Sequence, residues 1–216
     1  MDKSITIDRK MIEYIFSNTD NLHPVQRELL KYNENLGNIK KLQISILQAN
    51  FLQFLIKSRN IKSCLELGTF TGYSSLSMAL FLPSGGKLHT VDIDNNKNKI
   101  AKIFFKKAKV QKKITTEISN CNVALDKLLK NKKKYDLILI DADKENYINY
   151  FDKSLKLLNK NGLLIIDNVL WKGEVVNENA KDKLTKKIKK FNTHVKKTKI
   201  NKYILPIGDG FYICWK

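Results

Sequence analysis

Cysteine is scarce. Cys64, Cys121 and Cys214 lie far apart, no CxxC pair occurs, and two of the three fall inside apolar strand-like runs. Such spacing gives neither a disulfide framework nor a zinc-ligand pattern. The three histidines, His23, His89 and His194, are equally scattered and read as packing or surface residues. No apolar run reaches the ~20 residues needed to span a bilayer, and Met1-Asp2-Lys3-Ser4 lacks the apolar core of a signal peptide. A cytoplasmic location with no membrane partner is therefore expected. No Pro-, Gly- or Ser-rich linker divides the 216 residues, so one domain is expected, a helical cap over 1–60 on an α/β core over 61–216. Acidic residues are also few, 21 against 40 basic ones, for a net charge of +19. Arginine contributes only Arg9, Arg27 and Arg59 to that excess. Lysine codons are AT-rich, so genome composition alone can inflate the lysine count. The field attracts polyanions all the same, and favours a nucleic-acid partner over a merely solvated surface.

What the chain does have is a regular alternation of apolar patterns. Residues 8–36 read as one or two helices, with Pro24 placed to begin the second. Met11, Ile12, Ile15 and Phe16 form one apolar stripe; Leu29, Leu30 and Leu36 form another. A third helix over 44–58 carries Ile44, Leu47, Phe51 and Leu55. Strands follow at 63–67, 87–92, 114–118, 137–140 and 163–166, separated by helices near 72–81, 96–109 and 122–130. Between the last two strands Tyr147, Tyr150, Phe151, Leu155 and Leu158 recur at helical spacing. This alternation predicts a doubly wound, mostly parallel α/β sheet with right-handed crossovers. The tail departs from it: a basic helix over 181–192 is expected to bury Leu184, Ile188 and Phe191. Strands 199–205 and 211–215 then flank Pro206-Ile-Gly-Asp-Gly210 and read as an antiparallel hairpin closing the sheet edge.

Chemistry-bearing residues collect at strand ends. The apolar runs 137–140 and 163–166 stop at Asp141 and at Asp167-Asn168, side by side at the carboxyl edge where open α/β sheets bind ligands. One such residue reads best as a helix cap or turn. Three oxygen-bearing side chains at adjacent strand ends suit a hard divalent cation such as Mg²⁺. The first strand runs into Glu66-Leu-Gly68-Thr-Phe-Thr-Gly72-Tyr-Ser74, a glycine-bearing turn that lets backbone approach a nucleotide. Phe70 fills the slot where a dinucleotide fingerprint keeps glycine, which favours a nucleoside cofactor over a diphosphate. Asp92 ends the second strand, placed to accept from ribose hydroxyls. An NAD-type reading stays open as the lesser alternative.

Joined together, these stretches resemble the cation-dependent O-methyltransferases of the caffeoyl-CoA and catechol type. Leu42-Gln-Ile-Ser45, the 66–74 loop, Val91-Asp92, Asp141-Ala-Asp-Lys-Glu-Asn-Tyr147, Asp167-Asn168-Val-Leu-Trp-Lys-Gly173 and Pro206-Ile-Gly-Asp-Gly210 keep the family's order from about residue 40 onward. The resemblance implies a Rossmann-like methyltransferase fold that uses S-adenosylmethionine with Mg²⁺ or Mn²⁺. It implies Asp141, Asp167 and Asn168 as metal ligands. The cofactor pocket would be lined by Ile44, Glu66, Gly68, Thr69, Ser74, Asp92, Asn120, Cys121 and Asp141. Lys144 matches the family's general base, with an exposed helix-start lysine as the alternative, and Lys172 sits where relatives contact substrate. The chain departs from the family at Ile46-Leu-Gln-Ala49, where relatives carry Pro-Glu-Gln-Gly, and at Asn120-Cys121. Relatives are commonly homodimers. Some methylate catechols and other vicinal diphenols; a bacterial branch methylates 5-hydroxyuridine at the tRNA wobble position, and the lysine clusters at 97–113 and 181–199 favour that branch. A non-catalytic RNA-binding module fits less well, because the metal trio and Lys144 are intact.

Overall fold

The computed structural model describes residues 5–216; the segment 1–4, on which the targeting expectation partly rests, lies outside the described residues. Three helices come first, α1 (Arg9–Ser17), α2 (Pro24–Glu34) and α3 (Ile46–Ser58), with a 3-10 segment Gly37–Leu42 before α3. Pro24 does open α2, behind a capping box in which His23 and Gln26 satisfy each other's backbone amides. The Gln26 amide also donates to the Ser77 hydroxyl at 2.8 Å, a buried bond that fixes α2 to the core.

Alternation then follows as β1 (Ser63–Leu67), α4 (Tyr73–Phe81), β2 (Lys87–Asp92), α5 (Asn95–Lys107), β3 (Ile114–Ile118), α6 (Cys121–Lys130), β4 (Tyr135–Ile140), α7 (Tyr147–Leu157) and β5 (Leu158–Ile166). After these come α8 (Lys183–Lys197), β6 (Asn201–Leu205) and β7 (Phe211–Trp215). The seven strands order as β3-β2-β1-β4-β5-β7-β6. Five run parallel, and β7 pairs antiparallel with both β5 and β6. The expected hairpin thus closes the sheet, with its second strand inside and β6 outermost.

Both faces of the sheet are covered, which is why the central strands show no polar alternation. Cys64, Leu137, Leu139 and Ile165 pack under α2, α3, α4 and α5. Leu65, Leu67, Ile138, Ile140, Leu164 and Ile166 pack under α6, α7 and α8. Among the described residues no helix is long and apolar enough to cross a membrane.

Two sequence expectations need correction, at β5 and at α8. In α3, Phe51 and Leu55 pack half-buried against the core, while Ala49, Leu52 and Ile56, together with Gln48 and Gln53, are buried outright. The polar pair lies inward because each glutamine is surrounded by protein, which a hydrophobicity pattern cannot anticipate. β5 begins at Leu158, which packs as a strand residue and not as the last turn of α7. α8 docks through Thr185, Ile188, Phe191 and Val195, and leaves Leu184 39% exposed. Its phase follows Phe191, whose ring meets Tyr147 edge-on at 5.3 Å. Truncating the two apolar residues should therefore give unequal results in urea denaturation. Ile188→Ala should cost ~2–4 kcal/mol and Leu184→Ala under ~1 kcal/mol; the reverse ranking would mean that α8 docks through another face.

Candidate active site

The parallel ladder continues one residue beyond the strands and lines up their ends. Asp141 N–H donates to the Leu67 carbonyl at 2.9 Å, Asp167 N–H to Ile140 at 3.0 Å and Gly68 N–H to Val91 at 2.9 Å. Backbone pairing alone therefore sets Gly68, Asp141 and Asp167 in one row at the carboxyl edge, where the strand order reverses between β1 and β4. Gly68 has φ +97°, and a Cβ there would stand 2.0 Å from the Asp141 carbonyl oxygen. No other residue fits.

The loop after β1 is tied to Asp92. One oxygen of that carboxylate accepts from Thr69 N–H and Phe70 N–H, both at 2.8 Å, and the other from Asp94 N–H at 2.9 Å. Asp92 thus organises the turn as well as facing the cleft. Below it Glu66 is fully buried. One of its oxygens accepts from the Ser75 hydroxyl and, at 2.5 Å, from the Thr90 hydroxyl; the other is buried with no partner among the described residues. Burial pushes its carboxyl up to about 7, against hydrogen bonds from Ser74, Ser75 and Thr90.

Asp141 and Asp167 form the second charged centre. Lys144 Nζ lies 3.0 Å from Asp141 Oδ1 and 4.9 Å from the centre of the Tyr147 ring. Asp167, 2% exposed, accepts at Oδ1 from Gln48 Nε2 at 2.6 Å and from Asn168 N–H at 2.7 Å. Burial first, and the Asp141 charge second, drive the Asp167 carboxyl well above the usual range. The Oδ2 atoms of both acids take no hydrogen bond from the described residues. Asn168 completes the trio at φ +59°, its amide donating to Asp209 Oδ2 at 3.3 Å. Among the described residues no three His, Cys, Asp or Glu side chains cluster as metal ligands. The trio at the edge is two carboxylates and an amide. Two under-compensated acids with open oxygens beside an amide are nevertheless a donor set that suits a hard divalent cation.

Two loops hold this edge. Asp209 accepts from the Lys172 amide and presents its carbonyl to Leu170 N–H at 3.0 Å, while Gly210 presents its own to Val169 N–H at 3.2 Å. Trp171, Lys172 and Gly173 all have positive φ, so the loop is held in its turn against local preference. Of the expected site residues, Lys144 pairs with Asp141 beside Asp167, Asn168 follows Asp167 with its amide turned to Asp209, and Gly68, Thr69 and Asp92 meet one another. Ser74 and Glu66 lie beneath them, buried. Ile44 is 3% exposed in the core just before α3. Asn120 is an exposed N-cap whose side chain accepts from Asn122 N–H at 2.8 Å. Cys121 is buried behind it, its thiol pushed up to about 12 by burial. The Lys172 side chain is exposed. Gln48 and Asp209 were missed from sequence. The Ser45-x-x-Gln48 spacing does signal a capping box, which forms, but not a bond to a residue 119 positions away.

This sheet order, with a glycine turn and paired acids at its switch point, defines a Rossmann-like methyltransferase fold. The chain belongs to the O-methyltransferase family, whose sequence profile matches residues 16–216. It is 31% identical over 214 residues to catechol O-methyltransferase domain-containing protein 1 of Mus musculus, covering 97% of this chain and 80% of that protein. A caffeoyl-CoA O-methyltransferase of Stellaria longipes is 35% identical over 183 residues, 79% of this chain and 74% of that one. An O-methyltransferase from Bacillus cereus, solved in complex with S-adenosylhomocysteine, superposes with a TM-score of 0.84 at 27% identity, covering 94% of this chain and 95% of that one.

The buried glutamate makes a testable statement about pH. Native Glu66 holds its proton more tightly than the unfolded chain does. Its contribution to stability is therefore complete below the ordinary glutamate value of 4.5 and is lost as pH rises through about 7. In cofactor-free protein, Glu66→Gln should remove this loss. The variant should gain on the wild type by up to roughly 3 kcal/mol between pH 4.5 and pH 8, read from thermal melts. A pH-independent difference would show that Glu66 ionises freely in the fold.

Proposed function

We propose that the protein transfers the methyl group of S-adenosylmethionine to a hydroxyl that stands beside a second oxygen. Its acceptor is the 5-hydroxyl of 5-hydroxyuridine at the tRNA wobble position, giving 5-methoxyuridine. The observation that carries the reaction type is the pair of open carboxylate oxygens on Asp141 and Asp167 beside Asn168, at the same sheet edge as the glycine turn. The S-adenosylhomocysteine bound to the Bacillus cereus neighbour supports the cofactor.

In this reading Asp92 keeps lone pairs for the ribose hydroxyls while its amide bonds hold the turn. Glu66, Gly68, Thr69 and Ser74 shape the rest of the cofactor pocket, with Ile44 and Asn120-Cys121 at its sides. Phe70, in place of a glycine, closes off the space a pyrophosphate would need. Asp141, Asp167 and Asn168 would hold a divalent cation, Mg²⁺ or Mn²⁺, which would supply Lewis acidity to the acceptor hydroxyl. Lys144 Nζ, 3.0 Å from Asp141, is read as the base for the hydroxyl proton, a role it can fill only after giving up its own. Lys172, beside the strained 171–173 turn, contacts the acceptor. The aligned acceptor oxygen can then meet the methyl carbon in line.

The net charge of +19 favours tRNA over a small phenol. The likeness to the catechol O-methyltransferase domain protein and the caffeoyl-CoA O-methyltransferase favours a diphenol as the second reading. Mass spectrometry of tRNA nucleosides after incubation with cofactor and Mg²⁺ separates the two. The expected product is 5-methoxyuridine, formed less readily as salt rises. Lys107 is already engaged with Glu28 at 2.6 Å, so charge reversal belongs at Lys102 and Lys106, which are exposed. Lys102→Glu with Lys106→Glu should raise KM for tRNA and leave catechol turnover alone. Rapid methylation of catechols with none of tRNA would select the diphenol reading.

Metal dependence has its own readout. Because Asp167 holds a proton well above the usual range, Mg²⁺ binding at neutral pH should expel it. Calorimetry in two buffers of different ionisation enthalpy should report proton release, and Mg²⁺ affinity should climb with pH. EDTA should abolish turnover, and Asp167→Ala should lose it while remaining folded. Full turnover in EDTA would sink the metal assignment.

A further inference from the structure

Of the two lysine clusters, the one on α8 borders the candidate active site. α8 carries seven lysines in fifteen residues and no acid between Lys183 and Lys197. Its neighbours across the gap are the segment Lys144–Asn146 and the first turns of α7. Lys183 pairs with Glu145 at 2.5 Å, and Asn192 donates to the Val169 carbonyl at 2.8 Å. Between α8 and α7 lies a recess of about 230 Å³, lined by Tyr147, Ile148, Asn149 and Phe191 and by Lys144, Lys187 and Lys190. It is smaller than the ~300–1,000 Å³ of pockets that enclose whole small ligands, so it fits one part of a larger one.

The charges in this recess are unequal. Lys183 is spent on Glu145, and Lys189 donates to the Asn177 carbonyl at 2.5 Å. Glu145 also lines the recess, but its carboxyl is held below its ordinary range by Lys183 and then Lys187, so its charge is already answered. Lys187 and Lys190 have no carboxylate partner among the described residues. Lys183, Lys187 and Lys190, spaced by four and three, stand on one stripe of the helix. Lys187, half-buried, and Lys190, exposed at the rim, share the lining of the recess with Lys144, and these three ammonium groups make a local site for an anion with several oxygens. Lys144 belongs both to this recess and, through Asp141, to the reacting centre.

We infer that this recess is a phosphate subsite, in which Lys187 and Lys190 hold a phosphate of the acceptor nucleotide while its base lies at the carboxyl edge. The inference rests on the nucleic-acid reading above for its biological ligand, but the site itself can be tested without it. The remaining α8 lysines continue the positive rim beyond the recess, as a backbone with successive phosphates requires.

The experiment compares Lys187→Gln/Lys190→Gln with Lys130→Gln/Lys133→Gln, a control of equal charge change at the α6–β4 turn on the opposite edge of the sheet. Saturation-transfer NMR with uridine 5′-monophosphate, and separately with uridine, probes the isolated subsite. The monophosphate should bind wild type and the control pair, and lose its signal on Lys187→Gln/Lys190→Gln; uridine should show no such difference. With an anticodon stem-loop as methyl acceptor, the recess pair should raise KM about tenfold, with kcat altered by less than about threefold, and lower the salt slope by about one to two. The control should shift KM by less than about threefold. Equal monophosphate signals in the two double variants would overturn the subsite, whatever the acceptor proves to be. Loss of that signal in the recess pair alone, with no RNA methylated, would keep the subsite and discard the tRNA reading.

Discussion

The close approach of Gly68 to Asp141 governs the geometry of this edge. With a Cβ excluded by a carbonyl oxygen 2.0 Å away, the turn after β1 lies directly on the end of β4. The turn that would face a cofactor and the acid that would face a metal are therefore joined through backbone, without any intervening side chain. The same logic operates one step along, where a Cβ on Gly72 would meet the Phe105 ring at 2.7 Å and so would push α4 off α5. Strand pairing then carries the alignment outward to Asp92 on one side and Asp167 on the other. Two centres that must cooperate are held at fixed separation by the stiffest elements of the fold.

Electrostatics works against that alignment and explains the shell around it. Asp141 and Asp167 repel each other in a place where water cannot screen them, and Tyr147, wholly buried nearby, has its phenol kept protonated by burial and by those charges. Among the described residues only Lys144 forms an ion pair with either acid, through Asp141. Of the other lysines, five stand on α5 and seven on α8, and the remainder are spread over the chain. A chain of net charge +19 thus keeps a local negative well at its centre. Such an arrangement draws a cation to the well and a polyanion to the rim, two fields of opposite sign that act at different ranges.

Much of this was legible in the sequence because it depends on local rules. Short Ile- and Leu-rich runs ending in acids predict buried parallel strands with polar ends, and β1, β4 and β5 are placed accordingly. Phe70 and the glycines on either side of it predict the turn. What stayed hidden involves partners far apart in the chain. The inward face of α3 cannot be read from its apolar stripe, because Gln48 and Gln53 are buried by contacts that hydropathy does not encode. Asp209 lies in a loop that reads as a hairpin turn, yet it anchors Asn168, Leu170 and Lys172 across the cleft. Leu184 fails for the opposite reason. Three apolar residues on a basic helix suggest a stripe, and only the partner surface decides which end of that stripe is covered.

Gln48 shows how a departure from the family pattern is accommodated. Its Oε1 accepts from the Ser45 amide at 2.9 Å and closes the cap of α3, while its Nε2 reaches Asp167. A Cβ on Gly208 would stand 2.4 Å from the Gln48 amide carbon, so the hairpin turn must be glycine to let the side chain through. One amide therefore connects the front helix, the end of β5 and the closing hairpin. With the Asn168 N–H, it supplies the hydrogen bonds of a buried carboxylate that stands beside the charge of Asp141. Ile46-Leu-Gln-Ala49 thus opens α3 without proline or glycine, and the reach of its third residue ties that helix start to the end of β5.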